Sequence, residues 1–196
     1  VNNRFINTSG TAIYLRDGRN APGEYSKDIQ ICNNKIETII SAGTVDYNAG
    51  SGIIVMGAED LRICGNIISN AAYNGIQLAR NKNPTVTDNI VTDSEQPALQ
   101  IAQWNEGVHR ISGNTFSTKS EEKGAIRLYG FTNNYIPEFN ISNNKIENSH
   151  YGIQIGHGDA GKSYNDISEA NYTLSNNSFN EISENELIIY LNQEPS

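Results

Sequence analysis

Short runs of alternating apolar and polar residues recur along nearly the whole chain, and they are of two kinds. The first has the form Ile-x-Ile-x-x-Asn-x-Ile and occurs at 29–36, 61–68, 139–146 and 172–179, with looser copies around Asn89 and Asn114. The second is similar to Gly-Ile-x-Leu and occurs at 12–15, 52–55, 75–78, 98–101, 125–128, 152–155 and 188–191. A period of two residues is typical of β-strands that turn one face inward. The sequence therefore predicts an all-β solenoid of about seven coils.

One asparagine occupies the same place in each coil, among the inward positions: Asn34, Asn66, Asn89, Asn114, Asn144 and Asn177. The residue before it is Asn, Gly or Asp. These types tolerate a left-handed backbone, so we expect a sharp bend there. A buried amide is costly unless it is hydrogen-bonded, but amides stacked in register can bond to one another and to neighbouring backbone. We therefore predict an internal asparagine ladder.

Composition agrees with many short strands and disfavours several functions. The 196 residues include 28 Asn, 26 Ile and 17 Gly, which excludes an alanine-rich helical bundle. No apolar run is long enough to span a membrane as a helix, and the net charge of −8 disfavours nucleic acid and anionic surfaces as partners. Cys32 and Cys64 fall in one column of adjacent coils. Because side chains in register keep their Cβ atoms slightly too far apart, we expect stacked thiols rather than a disulfide.

Leucine-rich repeats share part of the first run and are the main alternative fold. They require a further large apolar residue eight positions before the Asn, and only Ile136 meets that requirement. The spacing between successive ladder asparagines varies from 23 to 33 residues, which is too irregular for most such proteins. The pattern therefore favours the solenoid described above.

The combined cycle resembles the right-handed parallel β-helix repeat of the pectate-lyase-like superfamily. By that resemblance, Gly-Ile-x-Leu is the strand called PB1, the Ile-x-Ile before the Asn is PB2, and the strand after the Asn is PB3. It implies one right-handed parallel β-helix domain over residues 1–196. The family usually caps its first coil with an amphipathic helix, whereas this chain opens in mid-coil, so we expect a fragment of a longer β-helix protein. Insertions are expected in the turns at 16–26, 40–51, 129–137 and 156–170.

The outward PB1 positions form a predicted column of seven residues: Tyr14, Ile54, Gln77, Gln100, Arg127, Gln154 and Tyr190. The resemblance implies that a polysaccharide lies along this face, with Gln77, Gln100 and Gln154 as hydrogen-bonding groups and Trp104 and Tyr129 as stacking surfaces. Small residues beside the column, such as Gly75 and Gly152, are expected to admit a flat ligand. The alternative is a glutamine stripe that only stabilises the sheet.

Candidate chemistry at this face is that of a lyase or an epimerase. No Asp or Glu stands in the column, so a hydrolase would need loop carboxylates. Arg127 can bind a sugar carboxylate, and His150, Tyr151, His157 or Lys123 can exchange protons. The Asp-Pro-His element of alginate epimerases and the calcium-binding aspartates of pectate lyases are both absent. Catalysis is therefore left open, and we expect no metal and no cofactor.

The sequence leaves two functions open. The first is a secreted or surface bacterial β-helix that binds, and in one version processes, a polysaccharide along PB1. The second is a non-catalytic structural or adhesive solenoid, such as a tailspike or surface stalk. In that case the glutamine stripe only stabilises the sheet, and the chain forms a homo-oligomer.

Overall fold

The computed structural model describes residues 1–16, 25–41, 49–103, 105–129, 137–156 and 171–189. Within these ranges the regular structure consists of twenty β-strands. The first ten are β1 (Arg4–Ser9), β2 (Ile13–Arg16), β3 (Ser26–Lys27), β4 (Gln30–Cys32), β5 (Lys35–Ile40), β6 (Ile53–Met56), β7 (Ala58–Glu59), β8 (Arg62–Cys64), β9 (Ile67–Ala71) and β10 (Ile76–Ala79). The others are β11 (Thr85–Thr87), β12 (Ile90–Ser94), β13 (Leu99–Ala102), β14 (Val108–Ser112), β15 (Thr115–Thr118), β16 (Gly124–Tyr129), β17 (Glu138–Ser142), β18 (Lys145–Ile155), β19 (Asn171–Ser175) and β20 (Ser178–Ile189).

The strands stack into parallel ladders in which each strand pairs with its counterpart one coil away. The PB2 ladder is a six-stranded sheet in the order β19-β17-β14-β11-β8-β4. The PB3 and PB1 ladders belong to one twelve-stranded sheet, because the long strand β18 runs from one ladder into the other. The predicted all-β, parallel solenoid architecture is therefore confirmed. The predicted long turns lie largely outside the described residues.

Apolar side chains stacked in register form the core. One such column is Phe5, Ile36, Ile68, Val91, Phe116, Ile146 and Phe179. From Ile36 to Ile146 these side chains are fully buried. Burying an aliphatic or aromatic side chain contributes about 1.5–3 kcal/mol, so each coil is stabilised mainly by stacking on its neighbours.

The predicted asparagine ladder is confirmed. In each coil from Asn34 to Asn144, the backbone N–H and the Nδ2 both donate to the Oδ1 of the next ladder asparagine, at 2.9–3.1 Å. The bend before each Asn is confirmed as well, since Asn33 has φ 58° and Asp88 has φ 57°. A shorter second ladder at the end of PB1 was not predicted. The Oδ1 of Asn81 accepts a hydrogen bond from the Ala58 N–H, and the Asn81 N–H donates to the Oδ1 of Asn105.

The prediction of free thiols is wrong. Cys32 and Cys64 form a disulfide between β4 and β8. Their Cα atoms lie 4.6 Å apart, which is within the range that a disulfide bridges, so the neighbouring coils approach closely enough for the two sulfur atoms to meet.

The predicted end of the PB1 column also needs correction. Gln154 pairs with Ile188, whereas the sequence pattern placed Tyr190 opposite it. The pairing of β18 with β20 shifts by one residue between Ser149 and Tyr151, which brings Gln154 opposite Ile188. The prediction differs because it aligned the apolar run at 188–191 with the PB1 pattern, two residues beyond this register. Tyr190 itself lies outside the described residues.

Candidate ligand-binding faces

Apart from its last position, the PB1 column is assembled in the register that the sequence predicts. Six residues of neighbouring strands are paired in turn: Tyr14, Ile54, Gln77, Gln100, Arg127 and Gln154. The strand spacing in a sheet is about 4.8 Å, so their side chains form one continuous stripe along the axis of the solenoid.

This stripe is buried from Ile54 to Gln154, whereas Tyr14 at its first end is 45% exposed. The exposed fractions are 8% for Gln77, 6% for Gln100, 6% for Arg127 and 2% for Gln154, and Ile54 is fully buried. Strands buried on both faces are common in parallel sheets. This part of the stripe therefore lies beneath the surface of the protein, whereas a ligand groove along PB1 requires these groups to be accessible.

Neighbouring groups hold several polar side chains of the stripe. Asn74 Nδ2 donates to Gln77 Oε1 at 2.9 Å, and the Gly124 N–H donates to Gln154 Oε1 at 3.1 Å. The Arg127 guanidinium lies over the Tyr129 ring, 4.4 Å from its centroid. Such a contact stabilises a desolvated cation by about 2 kcal/mol. These interactions hold Gln77, Arg127 and Gln154 in place.

The other predicted catalytic groups lie further along the sheet. His150 and Tyr151 touch edge to face with ring centroids 4.5 Å apart, and His150 Nδ1 lies 2.8 Å from Ser183 Oγ. Tyr151 pairs with Gly124, three residues before Arg127 in β16. Three residues of a strand span about 10 Å, so these two rings and Arg127 sit at different places on PB1. His157 and Trp104 lie outside the described residues.

The small residues beside the stripe serve internal packing. A Cβ on Gly75 would lie 2.2 Å from Val91 Cγ1, and one on Gly152 would lie 2.8 Å from Phe179 Cε1. Both contacts are with side chains of the inward PB3 column. The expectation that these glycines admit a flat ligand is therefore wrong, because the missing side chains would point into the core.

A buried histidine was missed as a titratable group by the sequence analysis. His109 is fully buried, 5.0 Å from Phe139 in the next coil, and Phe139 stacks on Tyr172. Burial lowers the pKa of His109 to about 3, and the Glu106 backbone offsets this only in part. Burial also raises the pKa of the Tyr172 hydroxyl. Both groups are therefore neutral near pH 7.

The outer face of PB2 was not predicted as a binding face either, because the family resemblance implies that the ligand lies along PB1. Its outward column consists of Gln30, Arg62, Thr85, Arg110, Asn140 and Thr173, all exposed or half-buried. An open groove of about 520 Å³ lies on this face between Asp60 and Arg110. In the sequence this face is indicated by the polar residue between the two isoleucines of the Ile-x-Ile-x-x-Asn-x-Ile run.

The described ranges hold neither a cluster of metal-ligating side chains nor a helix that could span a membrane. Within them no three His, Cys, Asp or Glu side chains are grouped so as to hold a metal ion. No helix there is long and apolar enough to cross a membrane.

Stacked parallel coils with an internal ladder define a β-helix, and the family comparison agrees. The family model described as right-handed β-helix region matches residues 1–160, so the chain belongs to the right-handed β-helix family. The structure is similar to the crystal structure of PfbA, a surface adhesin of Streptococcus pneumoniae, with 14% identity and a TM-score of 0.49. That similarity covers 86% of this chain and 47% of the other, so this chain spans about half the length of that structure. No curated protein sequence matches the chain.

Proposed function

We propose that this protein is a non-catalytic, surface-type β-helix that binds a polysaccharide without cleaving it. The observation that carries the proposal is the buried state of the PB1 stripe, where Gln77, Gln154 and Arg127 are each held by a neighbour. Acid–base catalysis requires groups that reach the reacting atoms within hydrogen-bonding distance. Groups held under the surface stabilise the sheet instead, in the manner of stacked amides in other ladders.

Two features support glycan binding on the surface of the solenoid. Tyr73, Tyr129 and Tyr151 flank the PB1 strands and are each partly exposed, and aromatic faces of this kind stack on sugar rings. The net charge of −8 favours a neutral glycan, or an acidic one bound at a local cluster of arginines. The Cys32–Cys64 disulfide supports a secreted or cell-surface location, because disulfides persist mainly in oxidising compartments.

A polysaccharide lyase or epimerase is the second candidate. The observation in its favour is that His150 and Tyr151 are in contact on β18, the strand that pairs with β16 and its Arg127. In such a reaction Arg127 would neutralise a sugar carboxylate while His150 or Tyr151 exchanges the proton at C5. This version requires the buried PB1 stripe to become accessible to the sugar.

A screen of neutral and acidic polysaccharides separates the two candidates. Binding would be measured by affinity electrophoresis, and turnover by reducing ends and by the ultraviolet absorbance of unsaturated products. The proposal expects retention on at least one polysaccharide and no new chain ends after prolonged incubation. Turnover that Arg127→Ala abolishes in a folded protein would favour the enzyme.

A further inference from the structure

The outward column of PB2 differs from the PB1 stripe in both exposure and charge. Its six positions are all polar, and none carries a carboxylate: Gln30, Arg62, Thr85, Arg110, Asn140 and Thr173. The two arginines give this column a positive centre on a protein whose net charge is −8. Long-range charge therefore does not explain anion binding here, and any such binding must come from local contacts.

The two arginines are exposed and stand in a fixed relation to each other. Thr85 pairs with Arg62 on one side and with Arg110 on the other, so the arginine Cα atoms are two strand spacings apart, about 10 Å. Neither guanidinium forms an ion pair with any described residue.

Five lysines on other faces are neutralised instead. Each of the following lysines pairs with an acid at 2.8–3.1 Å: Lys27 and Lys82 with Glu59, Lys35 with Glu37, and Lys119 with Glu95. Lys145 likewise pairs with Glu147. Arg62 and Arg110 are therefore two neighbouring exposed charges that the described protein does not neutralise, whereas Arg16, which also lacks an ion pair there, lies on β2.

The arginines border the open groove of about 520 Å³ on this face. Buried Leu61 contributes to its lining, and Thr85 lies between the two guanidinium groups in the strand order. Asp60 lines the groove beside them, and its carboxylate accepts a hydrogen bond from Asn83 Nδ2 at 3.3 Å. A ligand here meets two positive groups, a hydroxyl between them and one acid at the side.

We propose that this groove binds an acidic glycan in which every second sugar carries a carboxylate or sulfate. A disaccharide is about as long as two strand spacings, so successive acidic groups of such a chain match the separation of Arg62 and Arg110. Guanidinium groups bind carboxylates and sulfates through paired hydrogen bonds, and the uncharged sugar between them meets Thr85. Asp60 favours sugar hydroxyls over a further acid at its position. This inference rests on the proposed glycan-binding function and assigns it a surface and a ligand class.

The test uses a hyaluronan octasaccharide as the probe, because it carries one carboxylate on every second sugar. Binding would be measured by calorimetry at low ionic strength, against a carboxyl-reduced hyaluronan of the same length and an oligogalacturonate with an acid on every sugar. We expect hyaluronan to bind more tightly than either comparator. We expect Arg62→Gln and Arg110→Gln each to weaken binding about tenfold, as the loss of one charge-assisted hydrogen-bonding group implies.

The control is the double variant Lys119→Gln/Lys145→Gln, which changes the net charge by the same amount as Arg62→Gln/Arg110→Gln. Both control lysines are exposed and belong to other parts of the surface. The control should bind like the wild type. Equal weakening in both double variants, or hyaluronan binding no tighter than its carboxyl-reduced form, overturns the groove assignment.

The same experiment separates failure of the groove from failure of the proposed function. Binding of neutral polysaccharides together with no preference for acidic ones leaves the proposed function standing and removes the groove. Hyaluronan binding that requires both arginines but ends in cleavage keeps the groove and refutes the non-catalytic function. Absence of binding to every polysaccharide refutes both.

Discussion

The Oδ1 of Asn89 accepts two hydrogen bonds from Asn66, one from its backbone N–H at 3.0 Å and one from its Nδ2 at 2.9 Å. One buried oxygen therefore satisfies two donors of the preceding coil. Asn89 itself donates in the same way to Asn114. The amides consequently act as a chain in which removal of one member leaves groups of its neighbours without partners.

Asn89→Leu should destabilise the protein by about 3 kcal/mol, because each buried polar group left without a partner costs about 1–3 kcal/mol. The Asn66 N–H loses its acceptor, and the carbonyl of Ile63 loses the Asn89 Nδ2 donor. The extra apolar area of leucine does not offset these losses. Urea unfolding followed by circular dichroism measures the difference.

Asn140→Leu is the matched control, because Asn140 lies on the partly exposed outer face of β17 and donates to Glu138. Its loss should cost less than about 1 kcal/mol, as for most surface substitutions. Equal losses in the two variants would mean that the ladder contributes nothing special to stability.

Local repetition explains which features could be predicted from sequence. The ladder and the register of Gln77 and Gln100 follow from residues that recur at one place in each coil, and each coil needs only its neighbours to form. The pairing of Gln154 with Ile188 could not be predicted, because the apolar run at 188–191 is similar to the PB1 pattern but lies two residues beyond the register that the strands adopt. Burial of Gln77, Gln100 and Arg127 could not be predicted either, because the repeat indicates which residues point outward but not whether anything covers them.

The Cys32–Cys64 disulfide should stabilise the first two complete coils. It closes a loop with a sequence separation of 32 residues, for which loop-closure entropy predicts a contribution of about 3–4 kcal/mol. Cys32→Ser/Cys64→Ser should therefore unfold at lower urea concentration than the oxidised protein. A reducing agent should lower the stability of the wild type and leave the double variant unchanged. Equal midpoints with and without the reducing agent would contradict this expectation.

His109 should make stability depend on pH. Its pKa is about 3 in the folded protein against an ordinary 6.5, so the unfolded chain binds the extra proton between these values. Stability is therefore unaffected by this group above about pH 6.5 and falls as the pH drops below it, by up to about 5 kcal/mol near pH 3. Urea unfolding at pH 4.5 and pH 7, within and above that window, measures the difference.

His109→Phe should remove this part of the pH dependence, since a phenylalanine next to Phe139 has no proton to bind. Carboxylates also titrate in the window, so the informative quantity is the difference in pH slope between variant and wild type. Phe139→Leu is the control and should keep the wild-type slope, because it changes the packing beside His109 without removing a titratable group. An unchanged slope in His109→Phe would show that the buried ring is protonated at its ordinary pKa.

Arg127→Ala should lower stability by about 2 kcal/mol rather than abolish a reaction. The variant loses the contact with Tyr129 and leaves a gap in a stripe position that is only 6% exposed. Arg110→Ala, on the exposed face of PB2, should unfold like the wild type. The melting temperature measured by calorimetry distinguishes the two. An unchanged melting temperature in Arg127→Ala would indicate that the stripe does not need this side chain to be stable.

Gly75→Ala distinguishes internal packing from ligand access at the edge of PB1. The added methyl group would lie 2.2 Å from Val91 Cγ1 and 2.6 Å from the Ala98 carbonyl oxygen, so neighbours must move. Overpacking of this kind costs about 1–3 kcal/mol. Adding Val91→Ala should cost less stability in the Gly75→Ala background than in the wild type, because in that background it also removes the side-chain clash. If Gly75→Ala instead kept its melting temperature and lost glycan binding, the glycine would lie open to a ligand and the packing explanation would be wrong.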